Sequence, residues 1–148
     1  MTIQEKIDAA LEKAIKEKDS KRYINNLKFL KAETQRGKTK VMSDNDVVAI
    51  FVALIRKQNE MQKSLDTASD EYQNSLYFVN DIYLFLDQSI IDQIYIHDIQ
   101  IIDWIESNVD LTNINVKNKN QLIGVVKKAF PYVDGNLVKE SIAMMDIK

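Results

Sequence analysis

Backbone punctuation is almost absent from this chain, and most of it falls in one place. Of three glycines and a single proline in 148 residues, Gly124, Pro131 and Gly135 all lie within "LIGVVKKAFPYVDGNLVKES", residues 122–141. Elsewhere dozens of residues pass without a strong breaker, so hydrophobic periodicity has to indicate the secondary structure. In "NKNQLIGVVKKAF" Leu122, Val125, Val126 and Ala129 share one helical face. Pro131 ends that helix, because an internal proline loses a donor and clashes with the preceding turn. "VDG" then turns the chain, with Asp134 as the cap of a last helix in "GNLVKESIAMM". A glycine inside a helix costs about 1 kcal/mol against alanine. The compensation expected at Gly124 is close helix contact where no side chain fits. The segment reads as a tight helical hairpin, with Gly124, Pro131, Asp134 and Gly135 as its structural residues.

The rest of the chain is read the same way. Ile3, Ile7, Leu11, Ala14 and Ile15 recur at spacings of three and four, which predicts an amphipathic helix. Asp19 or Ser20 caps a second, striped by Tyr23, Ile24, Leu27 and Leu30, with Gly37 at its C-terminus. Ser43 caps a third, and Asp46 imitates a capping box with a shorter acid. Its stripe is Val47, Ile50, Phe51, Leu54, Met61 and Leu65. A fourth uses Tyr72, Leu76, Val79, Tyr83 and Leu86. Four helices with short connections make a small bundle over 1–88. "SIIDQIYIHDIQIIDWI" alternates like a strand but also matches helical spacing at Ile91, Tyr95, Ile102 and Ile105. A lone strand needs a partner, and nothing else in the sequence supplies one. The expectation is a loop through about Ile96 and a helix from about His97 to Val109. The fold class is therefore all-α, a helical N-terminal bundle followed by a C-terminal three-helix module over 95–148.

Charge is segregated along the chain behind a net −2. Residues 1–63 balance at +5, residues 64–116 at −10 with no Lys or Arg, and residues 117–148 at +3. The acidic middle repels phosphate, so nucleic-acid contact is expected only at the ends of the chain. Without cysteine there is neither a disulfide framework nor a thiolate metal site. The N-terminus lacks a signal-peptide core and the longest apolar run, Val47 to Ile55, is half a bilayer span, so a cytoplasmic protein outside the membrane is expected. Abundant Ile, Lys and Asn fit an AT-rich bacterial or phage genome.

Three stretches carry a family likeness. "KNKNQLIGVVKKAFPYVDGNLVKESI" resembles the C-terminal signature of YqeY-like proteins, a module that also forms the tail of the B subunit of tRNA-dependent amidotransferases. Asp134, Gly135, Leu137 and Val138 match its turn and Gly124 its helix glycine. "AIKEKDSKRYINNLKFLKAE" and "MSDNDVVAIFVALIRKQNEMQKSL" are similar to the family's N-terminal stretches, in register over roughly 140 residues. The chain departs from the pattern at Tyr132 and Val133, where the family has Gly-Arg, at Lys28 in place of arginine, and at Phe85 to Asp87. The resemblance implies an all-helical, two-part protein of the tRNA-amidation and translation world. In the amidotransferase the tail helps to recognise tRNA while the chemistry lies elsewhere. Stand-alone members are grouped by similarity with glutamine-using carbon–nitrogen ligases, which does not make them catalysts.

No catalytic constellation emerges from the residues, and no cofactor is expected. His97 has Asp98 and Asp103 near it, but zinc takes three or four ligands with His or Cys prominent, so a structural histidine is the better reading. Asp87, Asp92, Asp98, Asp103 and Glu106 read as a solvated face, or one that receives a basic partner. Trp104 reads as a core anchor. The candidate nucleic-acid surface is Lys117, Lys119, Asn120, Lys127, Lys128 and Lys139. Two functions follow. One is a non-catalytic translation accessory that binds tRNA through the C-terminal helices. The other is a protein adaptor whose acidic middle docks on a translation enzyme such as a tRNA synthetase or amidotransferase.

Overall fold

The computed structural model describes residues 1–35 and 42–147, and Gly37, expected at a helix end, lies outside them. The described residues form eight α-helices and no strand, an all-α fold. They divide into two units, Met1–Asp87 and Gln88–Lys148.

The first unit holds α1 (Ile3–Lys16), α2 (Lys21–Gln35), α3 (Asp44–Gln62) and α4 (Asp70–Tyr83). Helix α1 begins at a capping box in which Thr2 and Glu5 satisfy each other's backbone amides. It ends without glycine. Lys18 takes the left-handed conformation (φ 53°), while Asp19 N–H bonds to Ala14 O and Lys18 N–H to Ile15 O. That pair of bonds is a Schellman ending, normally built on glycine because a Cβ is strained there. Ser20, Ser43 and Ser69 cap the next three helices through their hydroxyls. At α3 the predicted box does not close; Asp44 instead accepts the amide of Ile3 from α1.

The α1 stripe is as expected at Ile3, Ile7, Leu11 and Ala14, but Ile15 is 53% exposed. Helix α3 is turned from its expected orientation. Val47, Val48, Phe51, Val52 and Ile55 are buried, while Ile50 and Leu54 are only half-buried and Met61 is exposed. Along "VVAIFVALI" nearly every position is apolar, so sequence offers two stripes and packing selects one. Helices α3 and α4 are joined through buried Ser75, which donates to Gln58 and accepts from Gln62.

The second unit holds α5 (Gln88–Ile94), α6 (Asp98–Asn108), α7 (Gln121–Ala129) and α8 (Gly135–Met144). The expected loop through Ile96 is a correction: residues 88–94 are helical, so the unit has four helices where three were expected. Helices α6 and α7 pack on α8 around Ile101, Ile105, Leu122, Val126, Val133, Val138, Ile142 and Met145. Trp104 lies against this cluster, edge-on to Phe130 at 5.3 Å.

Candidate nucleic-acid interface

Helix α7 sits between two irregular segments that carry the candidate residues. Its helical backbone starts earlier than its regular hydrogen bonding. Asn120 already has α-type dihedrals (φ −66°, ψ −19°) and caps nothing with its side chain. Upstream, Gln121, Leu122 and Ile123 donate to the carbonyls of Asn118, Lys119 and Asn120, a run of 3₁₀-type bonds. The cap is Asn115. Its Oδ1 accepts from Lys117 N–H (2.9 Å) and Asn118 N–H (3.3 Å), and its carbonyl accepts from Lys119 N–H (2.9 Å). Asn118 replies through its own Oδ1, which accepts Asn115 N–H at 2.7 Å, while its Nδ2 donates to Asn113 O at 3.0 Å. Further back, Asp110 accepts from the hydroxyl and amide of Thr112. Those bonds hold the Asp110 carboxyl below its ordinary value.

At the other end, Phe130 N–H bonds to Val126 O and closes α7 before exposed Pro131. Lys127 reaches back over the turn and donates to Val133 O at 2.7 Å and Pro131 O at 3.4 Å. Gln93 of α5 accepts the amide of Tyr132 at 3.0 Å. Asp134 then caps α8 by accepting Asn136 N–H. A shallow depression beside this cap is lined by Ile123, Lys127, Asp134, Gly135, Asn136 and Lys139. The Asp134 carboxylate already occupies the electropositive end of α8, where a phosphate would otherwise sit.

The six candidate residues thus separate. Lys127 and Lys139 meet around the depression, and Lys127 is engaged with the turn. Lys128 shares the last turn of α7, where a cation is favoured by the helix dipole. Lys117 and Lys119 stand in the turn that leads into the N-terminal end of α7, where the same dipole opposes them. Lys117, Lys119, Lys128 and Lys139 have no carboxylate partner among the described residues.

The expected close contact at Gly124 is overturned. A Cβ built there meets nothing within 4 Å, and the residue is exposed. Gly124 lies across the helix from buried Leu122 and Val126, a position that their two-residue offset already implies. Val125 and Ala129, expected on the buried face, are exposed. Gly135 also has open space around it and no left-handed φ, so the turn requires neither glycine. Sequence reasoning passed over Asn115 altogether, and over the side-chain bonds of Asn118, although asparagine is a preferred N-cap residue.

Of the acidic candidates, Asp92 lies on α5, and Asp98, Asp103 and Glu106 lie on α6. His97 is an exposed residue ahead of α6 whose backbone amide donates to Gln100. Among the described residues no group of three or more His, Asp or Glu is placed to hold a metal ion, and no helix is long and apolar enough to cross a membrane. Asp92, Asp103 and Glu106 are exposed on α5 and α6, and Ile99, on α6, is 66% exposed. No family model, curated protein or solved structure matches this chain.

Proposed function

We propose that this protein is a non-catalytic accessory of translation that binds tRNA through the C-terminal helices, as its resemblance to the amidotransferase tail implies. One observation carries the reading. Lys117 and Lys119 stand without a carboxylate partner among the described residues, in the turn that leads into the N-terminal end of α7, where their charge opposes the dipole and adds nothing to the helix. Lysines at the far end of α7 stabilise the helix and its turn; these two have no such role. A phosphate backbone is the partner that offsets their cost, since neutralising lysines release counterions from nucleic acid.

Titrating bulk tRNA at rising salt tests it. Binding should weaken steeply, each true contact contributing roughly −0.9 to the log–log slope on duplex and −0.7 on single strands. Absence of binding at low salt refutes the reading.

A second reading, a protein adaptor, is favoured by α5 and α6. They have no Lys or Arg, their exposed Asp103 and Glu106 pair with no cation among the described residues, and Ile99 on α6 is an exposed apolar residue. Such a face suits a basic partner with an apolar anchor. Under this reading Asp92→Asn, Asp98→Asn and Asp103→Asn together abolish binding of a purified tRNA synthetase or amidotransferase. Under the RNA reading the same variant binds tRNA more tightly.

A further inference from the structure

Asn115 and Asn118 build a reciprocal bracket. Each side-chain oxygen accepts the other's backbone amide, at 3.3 and 2.7 Å, the geometry of a capping box with asparagine at both corners. The second oxygen contact to Lys117 N–H and the Asn118 Nδ2 bond to Asn113 O extend the bracket over residues 113–118. Ile114 packs on the core of the second unit and anchors the segment from below. What this bracketed piece presents outward is Val116, 59% exposed, and Lys117, with Lys119 following half-buried.

The residue type at the second corner matters. A capping box ordinarily closes with Glu or Gln three residues after the cap. Glutamate would set a carboxylate between the two lysines and also favour the helix through the dipole. Asparagine makes the same backbone bond and leaves both ammonium groups unneutralised. The box therefore gives up helix stabilisation and keeps the positive charge of the turn.

We propose that Asn115 and Asn118 are positioning residues, which lock residues 113–118 so that Lys117 and Lys119 are preset for phosphate contact. This rests on the RNA reading above and extends it to residues that need not touch RNA. Ordering a loop at an interface is a cost of binding, and a preformed loop reduces it.

The test compares Asn115→Ala, Asn118→Ala and the cap-competent Asn115→Ser in the full chain. Amide exchange at residues 117–119 reads the loop, and bulk tRNA titrated across salt reads binding. Both alanine variants should speed exchange there roughly fivefold, the loss of one cap. They should weaken tRNA binding about two- to tenfold with the salt slope unchanged, because every lysine is still present. Asn115→Ser should restore both readouts. Unchanged exchange overturns the bracket, and faster exchange with unchanged affinity overturns the positioning role while leaving the RNA reading intact. Wild-type protein that binds no tRNA overturns the RNA reading, and the positioning role falls with it.

Discussion

The loop before α7 and the turn after it are both held by side chains bonded to backbone, yet they use lysine in opposite ways. After α7 the chain presents carbonyl oxygens, and Lys127 spends its ammonium group on Val133 and Pro131. Before α7 the chain presents amides, which asparagine and aspartate oxygens satisfy, so Lys117 and Lys119 have no side-chain partner among the described residues. The difference is the polarity of a helix: its C-terminal end takes cations and its N-terminal end takes acceptors. Similar lysines a few residues apart are structural at one end and available at the other.

The largest effect comes from removing the floor common to both ends. Leu122→Ala should destabilise the second unit by about 2–5 kcal/mol, since a fully buried leucine loses both transfer energy and packing. Thermal or urea unfolding checks it, and a loss under 1 kcal/mol would show that α7 is not fixed by this core. Next, Lys127→Met keeps the apolar stem but deletes the bonds to the turn. It should cost about 1–2 kcal/mol, whereas Lys117→Met should stay within about 0.5 kcal/mol. Equal costs would erase the contrast between the two ends.

A third pair of variants exploits where glycine stands. Gly124 occupies an open helical position that alanine fills better, and Lys18 a left-handed position that glycine fills better. Gly124→Ala and Lys18→Gly should each stabilise by up to about 1 kcal/mol, seen as raised melting temperatures. A lower melting point for Gly124→Ala would restore the close contact that the structure denies.

These same positions show what was legible in the sequence. Helix α1 could be read because its apolar residues are separated by charged ones, so only one stripe exists. Helix α3 could not be oriented, because "VVAIFVALI" is apolar on every side and the choice of Val48, Val52 and Ile55 over Ile50 and Leu54 belongs to tertiary packing. Helix α5 was hidden by alternating isoleucines and by the lack of any buried residue in its seven. At the candidate site the lysines themselves were visible, but their separation into engaged and unengaged groups was not. That depends on where helical backbone begins, and the Asn115 cap lies well upstream of the apolar pattern.

The smallest effect is on pH. Asp110 brackets the loop before α7 through Thr112, and its carboxyl is depressed by the hydroxyl bond first and the amide bond second. A depressed acid contributes stability that is fully present above its unfolded value and is lost as pH falls through the folded one. Acidification below the ordinary carboxylate range should therefore reduce protection of the Thr112 amide, relative to its intrinsic exchange rate, before the Lys127 turn responds. Simultaneous loosening at both ends would make the two brackets a single cooperative piece.

The central claim is that the two ends of α7 differ in function, and salt-dependent tRNA binding by two double variants tests it most directly. Lys117→Gln with Lys119→Gln should flatten the log–log salt slope by roughly 1.4 to 1.8, two contacts' worth, with the melting temperature unchanged. Lys127→Gln with Lys128→Gln should lower the melting temperature and leave most of the slope in place. The reverse pattern, a slope carried by Lys127 and Lys128 and indifferent to Lys117 and Lys119, would contradict the account.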